Sequence, residues 1–206
     1  MAQGVVLAVT IRLYEITGKS QYLTFSHRLF NSFLQLRKSN SPWIARLDSL
    51  SYYWIEEYPH DVKPGQTLNG YIAAIMGVYE YYRITGDYRA KVVYDAALTT
   101  LKYYLPQYRR ENQTSYYCLG HMMPATLSYH NLHIQMMRDL YFVSGDIFFW
   151  LMAELFESDV EAPNAQGTFD RFNPEMDMEI NLSSDTEINC LHNSTITAPK
   201  NQSRHW

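Results

Sequence analysis

The sequence predicts an all-α protein of stacked αα-hairpins, followed by a disordered C-terminal tail. A degenerate repeat is the first observation behind this. Tyr14-Glu15-Ile16-Thr17-Gly18-Lys19-Ser20-Gln21-Tyr22 recurs as Tyr82-Arg83-Ile84-Thr85-Gly86-Asp87-Tyr88 and, more weakly, as Phe142-Val143-Ser144-Gly145-Asp146. The second is apolar residues at three-to-four spacing on both sides of each copy. The third is that no convincing run alternates in the manner of a strand, although Trp43 to Trp54 has room for a short hairpin. Hairpins stacked in this way close into a toroid or run as an open solenoid.

Each copy puts a glycine where a helix ends, because glycine takes the left-handed C′ conformation without strain. A polar residue then starts the next helix: Asp87 and Asp146 are good N-cap candidates, and Ser20 is a weaker one. The first pair uses Val5, Ala8, Ile11 and Leu13, then Leu23, Phe30, Phe33 and Leu34. The second follows Asn69, with Leu68, Ile72, Ile75, Met76, Tyr79 and Tyr82 on one face. Its partner carries Val92, Val93, Ala96, Ala97, Leu101, Tyr104 and Leu105, and Pro106 is expected to end it. The third pair uses Leu132, Met136 and Leu140, then Phe148, Phe149, Leu151, Met152 and Leu155. Residues 158–206 are rich in Asn, Ser, Thr, Pro and Asp and lack a helical period. They read as a disordered tail behind a domain spanning 1–157.

A length of 206 residues allows one substantial core plus tails. Tyrosine is abundant, at 18 residues, and its apolar ring and polar tip suit carbohydrate clefts, interfaces and wet helix seams. Most of these rings are expected to pack between helices. A net charge of −4 argues against a nucleic-acid partner or a polybasic membrane surface. A polyanionic ligand would therefore need local cations. Cys118 and Cys190 form no metal pattern and are expected as free thiols. No basic region precedes the first apolar run, and the longest such run, Ile147 to Ala153, is too short to span a bilayer. A targeting segment or membrane anchor is thus expected only in a missing N-terminal region. The sequons at Asn112, Asn181, Asn193 and Asn201 weigh slightly toward a lumenal setting.

Two blocks carry the candidate chemistry, and both fall in connections between hairpins, at 37–67 and 106–130. The first is Trp54-Ile55-Glu56-Glu57-Tyr58-Pro59, followed by Leu68-Asn69-Gly70. Glu57 suits a general base if burial raises its pKa, and Tyr58 suits a proton donor or acceptor. The same pair also suits a helix cap and a ring packed on Pro59. The second block is Ser115-Tyr116-Tyr117-Cys118-Leu119, then Tyr129-His130-Asn131-Leu132-His133. His130 and His133 lie one helical turn apart and can share a face, and such a pair at a helix start more often makes satisfied hydrogen bonds or binds a polar ligand than a metal. A metal would need a third ligand, and His121 is the only nearby option, so no metal is expected. No Gly-rich phosphate loop, nucleophile elbow or Cys-His protease signature appears. The remaining carboxylates, phenols and imidazoles suit proton transfer at carbon or at a glycosidic oxygen.

At these residues the chain resembles the C-terminal domain of D-glucuronyl C5-epimerases, which convert glucuronic to iduronic acid in heparan sulfate and heparin precursors. The likeness runs over roughly residues 1–157. It passes through Met1-Ala2-Gln3-Gly4, Glu56-Glu57-Tyr58-Pro59, Leu68-Asn69-Gly70, Leu105-Pro106, Tyr117, Leu119, Tyr129-His130 and His133. The resemblance implies an incomplete (α/α) toroid, epimerisation without a cofactor, a uronic-acid polysaccharide as partner, a Golgi setting and a homodimer. It implies catalytic roles for Glu57, Tyr58, Tyr117 and Tyr129, and substrate contacts from Asn69, His121, His130 and His133. Cys118 and Gly120 stand where family members usually carry an acidic and a basic residue, and His121, Arg109 and Arg110 are the candidates to supply that cation. Against catalysis stands a toroid that binds sugar without turnover. A glycoside hydrolase or lyase would need a second acid opposite Glu57, and none is evident.

Overall fold

The computed structural model describes residues 2–38, 42–60 and 62–160. The expected tail beyond residue 160, Cys190 and the three distal sequons lie outside the described residues.

Local signals at the repeat organise the helices. Gly18, Gly86 and Gly145 adopt φ of 66°, 66° and 70°, and each follows a helix directly: α1 (Ala2–Thr17), α3 (Leu68–Thr85) and α5 (Leu127–Ser144). Each chain then turns back into α2 (Ser20–Phe33), α4 (Tyr88–Tyr108) or α6 (Ile147–Ser158). Asp87 and Asp146 cap α4 and α6, accepting hydrogen bonds from the backbone N–H of Arg89 and Phe148. Ser20 does not cap α2; it lies inside the first turn, and Lys19 holds the cap position without a side-chain bond. The described part of the chain is therefore mostly helical, in three hairpins.

α3 is the central helix. Its buried residues include Leu68, Tyr71, Ile72, Ala74, Ile75, Val78 and Tyr81, which go round the helix rather than forming one stripe. Packing against α1, α4 and α5 causes this. Met76, Tyr79 and Tyr82, expected on the buried face, are only partly covered. The outer helices show the converse: Val5, Leu34, Val92, Leu132, Leu151 and Leu155, expected in the core, are exposed. Each outer helix buries a narrower stripe than its apolar residues would allow. Ion pairs tie α1 to α3, with Glu80 accepting from Arg12 at 2.7 Å and Arg83 bridging Glu80 and Glu15. Pro106 does not end α4, which runs on to Tyr108. The missing N–H costs one bond in the last turn, and the buried Tyr108 hydroxyl donates to Gln66 O at 2.6 Å.

Two short hairpins complete the fold. β1 (Ala45–Leu47) pairs antiparallel with β2 (Tyr53–Ile55), within the segment where a hairpin was expected. Asp48 organises its turn, accepting from Leu50 N, Tyr52 N, Trp54 Nε1 and the Tyr104 hydroxyl. β3 (Tyr116–Cys118) pairs with β4 (Met123–Pro124), a hairpin the sequence pattern did not reveal. No helix among the described residues is long and apolar enough to cross a membrane.

Candidate active site

The two candidate blocks meet because the segment entering α3 pairs with the end of β3. Thr67 bridges Cys118, Leu119 N donates to Gln66 O at 3.3 Å, and Gly120 N donates to Gly65 O at 3.0 Å. From the other side, Glu56 Oε2 accepts from Gln66 N at 2.9 Å, while Glu56 Oε1 is ion-paired with Arg46 Nε at 2.8 Å in the interior. Glu57 and Tyr58 leave β2 directly after this anchored residue.

Tyr58 and Tyr117 line one cavity of about 240 Å³, with His60, Lys63, Gly65, Thr67, Cys118, His121 and Met123. The Tyr117 ring meets Tyr129, in the first turn of α5, edge-on with centroids 5.0 Å apart, so Tyr58 from one connection meets two phenols from the other. Burial pushes the Tyr117 phenol well above its ordinary value, and the Glu57 charge and a hydrogen bond to Tyr58 add to this. Tyr117 therefore keeps its proton at any physiological pH. Tyr58, at 59% exposure, stands at the mouth. Glu57 has Oε2 buried with no hydrogen-bond partner among the described residues. Glu57 is not on the lining of that cavity; it lines a separate hollow of about 620 Å³, with Gln3, Ser32, Gln35, Trp43, Ile44 and Pro59.

The Leu68-Asn69-Gly70 motif has a spatial reason. A Cβ on Gly70 would lie 2.3 Å from Glu57 Oε2 and 2.9 Å from Glu57 Cβ, so only glycine leaves room for this carboxylate. We expect Gly70→Ala to displace Glu57 and lower any Glu57-dependent turnover about 100-fold, the scale of an ångström misplacement. The far-ultraviolet circular dichroism should be unchanged, and full turnover in Gly70→Ala would contradict this role. Asn69, 1% exposed, has neither amide atom paired among the described residues. Unpaired buried amides cost about 1–3 kcal/mol.

His121 lies at the cavity, its Nδ1 3.8 Å from Cys118 Sγ. His130 and His133 are placed otherwise than expected for substrate contacts, since both are wholly buried. Ser115 N donates to His130 Nδ1 at 2.9 Å, which leaves the proton on Nε2 to donate to Phe156 O at 2.8 Å. Ser115 Oγ lies 2.9 Å from His133 Nδ1. The pair braces β3 against α5 and α6. Burial lowers both pKa values, that of His133 to about 3. Because folding depresses these values, the unfolded chain takes up protons first as pH falls below about 6.5. Stability should then decline toward pH 3, by at most about 1.4 kcal/mol per pH unit for each histidine. Urea unfolding at pH 7, 6 and 5 measures this above the carboxylate range, and a flat profile would contradict it.

Arg109 and Arg110 do not serve the cavity. Arg109 holds Asp159 with two bonds of 2.8 Å, and Arg110 donates to Thr114 O and Gln113 while lying over the Tyr116 ring. Gly120 is glycine for steric reasons, because a Cβ there would sit 2.0 Å from Pro64 O. Cys118 is a buried free thiol. Among the described residues, no group of three or more His, Cys, Asp and Glu side chains is placed to hold a metal.

Fold and site together define a protein of helical hairpins whose cavity is walled by phenols, with one unpaired carboxylate beside them. The family model described as D-glucuronyl C5-epimerase C-terminus matches residues 1–158, and the chain belongs to that family, an isomerase class. It is also 32% identical over 134 residues to an uncharacterized protein of Methanocaldococcus jannaschii. The matched region covers 65% of this chain and 42% of that relative's length.

Proposed function

We propose that this chain takes part in epimerisation at C5 of D-glucuronic acid to L-iduronic acid within a heparan sulfate- or heparin-type polysaccharide. The observation that carries this reading is the grouping of Tyr58 and Tyr117 on one cavity, with Tyr129 against the Tyr117 ring and the Glu57 charge near enough to raise the Tyr117 phenol. Inversion at carbon needs a base on one face of the ring and a proton donor on the other. Glu57 is assigned as the base that takes the C5 proton. Tyr117, held protonated, is fitted to return one, with Tyr129 bracing its ring. The intermediate is a carbanion alpha to the sugar's own carboxylate, and fixed donors near that carboxylate lower its energy. Tyr58 is the exposed phenol of the cavity and is hydrogen-bonded to Tyr117.

In this reading the three hairpins form an incomplete (α/α) toroid, the reaction uses no cofactor, and the setting is the Golgi lumen with a homodimer as the working unit. His121 is assigned to substrate contact; Asn69, buried like His130 and His133 and on the lining of neither cavity, is not. The test is deuterium uptake at C5 of an N-sulfated heparosan oligosaccharide incubated with the full chain in heavy water. Uptake without new reducing ends or unsaturated uronate absorbance supports epimerisation. A sugar-binding protein without turnover is the second reading, favoured by Gly120, where no side chain fits beside Pro64. Oligosaccharide binding without deuterium uptake would select it.

A further inference from the structure

Resting on the reading above, the question is which cation receives the sugar's carboxylate. The net charge of −4 provides no general attraction for an acid. Arg109 and Arg110 are occupied, Arg46 is buried against Glu56, and position 120 admits no side chain. Lys63 remains. It lines the cavity with Tyr58, Tyr117 and His121, is exposed, and has no ion-pair partner among the described residues.

Its backbone is held on both sides. His60 Nδ1 accepts from Val62 N at 3.2 Å and from Lys63 N at 3.0 Å, forming an imidazole-capped turn. Two residues on, Gly65 O and Gln66 O accept from Gly120 N and Leu119 N, and Gln66 N is tied to Glu56. The lysine therefore rises from a fixed base with a flexible stem. The close approach of Gly120 to Pro64 puts this lysine loop against the β3–β4 turn. The wall of the cavity at position 120, where no side chain fits, thus faces a cation on the opposing loop.

We propose that Lys63 is the carboxylate anchor of this cavity and sets its preference for acidic over neutral hexoses. An ammonium is a compact point charge that tolerates several carboxylate orientations, as a ring passing from the gluco to the ido configuration requires. His121 stands on the same lining.

The test is calorimetric titration of the full chain with a heparosan octasaccharide, whose only charges are carboxylates, and with its carboxyl-reduced counterpart. The unsubstituted chain should bind the acidic form about tenfold more tightly, with the difference shrinking as salt rises. Lys63→Met should erase the preference and Lys63→Arg should keep most of it. A preference that survives Lys63→Met, or one absent from the unsubstituted chain, would overturn the proposal. Carboxylate preference lost in Lys63→Met without C5 exchange in the unsubstituted chain would sustain the anchor and sink the epimerase reading. Exchange with a preference indifferent to Lys63→Met would do the reverse.

Discussion

Glu56→Ala is expected to lower the unfolding free energy by about 3–5 kcal/mol, the cost of removing one member of a buried ion pair. Arg46 and Glu56 side chains are 9% and 0% exposed, so the guanidinium would stay charged in the interior with no counter-ion. The backbone N–H of Gln66 would also lose its acceptor. Arg46→Leu combined with Glu56→Leu should cost much less, because both charges leave together. Urea unfolding of the three proteins decides the matter, and a loss under 1 kcal/mol in Glu56→Ala would contradict it. The consequence reaches the site, because Gln66 also receives Tyr108 and Leu119, and its connection carries Lys63.

Tyr117→Phe should reduce C5 exchange by about 10²- to 10⁴-fold, the range for loss of a general acid. Phenylalanine keeps the ring that meets Tyr129 edge-on, so the unfolding midpoint should scarcely change. The pH dependence has a definite sign. Burial and the neighbouring Glu57 charge favour the protonated phenol, so the rate should not fall through loss of this proton below pH 10, its ordinary value. Single-turnover exchange measured by mass spectrometry checks both points. Full activity in Tyr117→Phe would remove Tyr117 from the chemistry.

The hairpins were legible in the sequence because their signals are local: a glycine in the left-handed region, an aspartate cap and a spaced apolar stripe. The all-round burial of α3 was not, since it depends on α1 and α5, which lie outside its own hairpin. β3 and β4 have three and two residues, too few to show a period of two, and their partner at Gln66–Thr67 lies some 50 residues away. The same non-local pairing brings Tyr117 to Tyr58, which composition and spacing could not show. His130 and His133 read as ligand contacts because two imidazoles at a helix start are polar and close. Only the fold shows Ser115 and Phe156 closing over them. Asp48 and Lys63 carried no pattern, because a turn aspartate and a loop lysine look like ordinary surface residues. For Gly120 no sequence signal existed; its reason is the Pro64 carbonyl beneath it.

The placement of one pyranose among three phenols can be tested without turnover. The full chain, labelled with carbon-13 at the tyrosine ring carbon bearing the hydroxyl, should give a signal for each of its 18 tyrosines. Titration with a heparosan oligosaccharide should move the signals of Tyr58, Tyr117 and Tyr129 well beyond those of the remaining rings, each assigned by a single Tyr→Phe substitution. Movement centred instead on the Tyr52, Tyr103 and Tyr104 cluster beside α4, or spread evenly over all rings, would contradict the site.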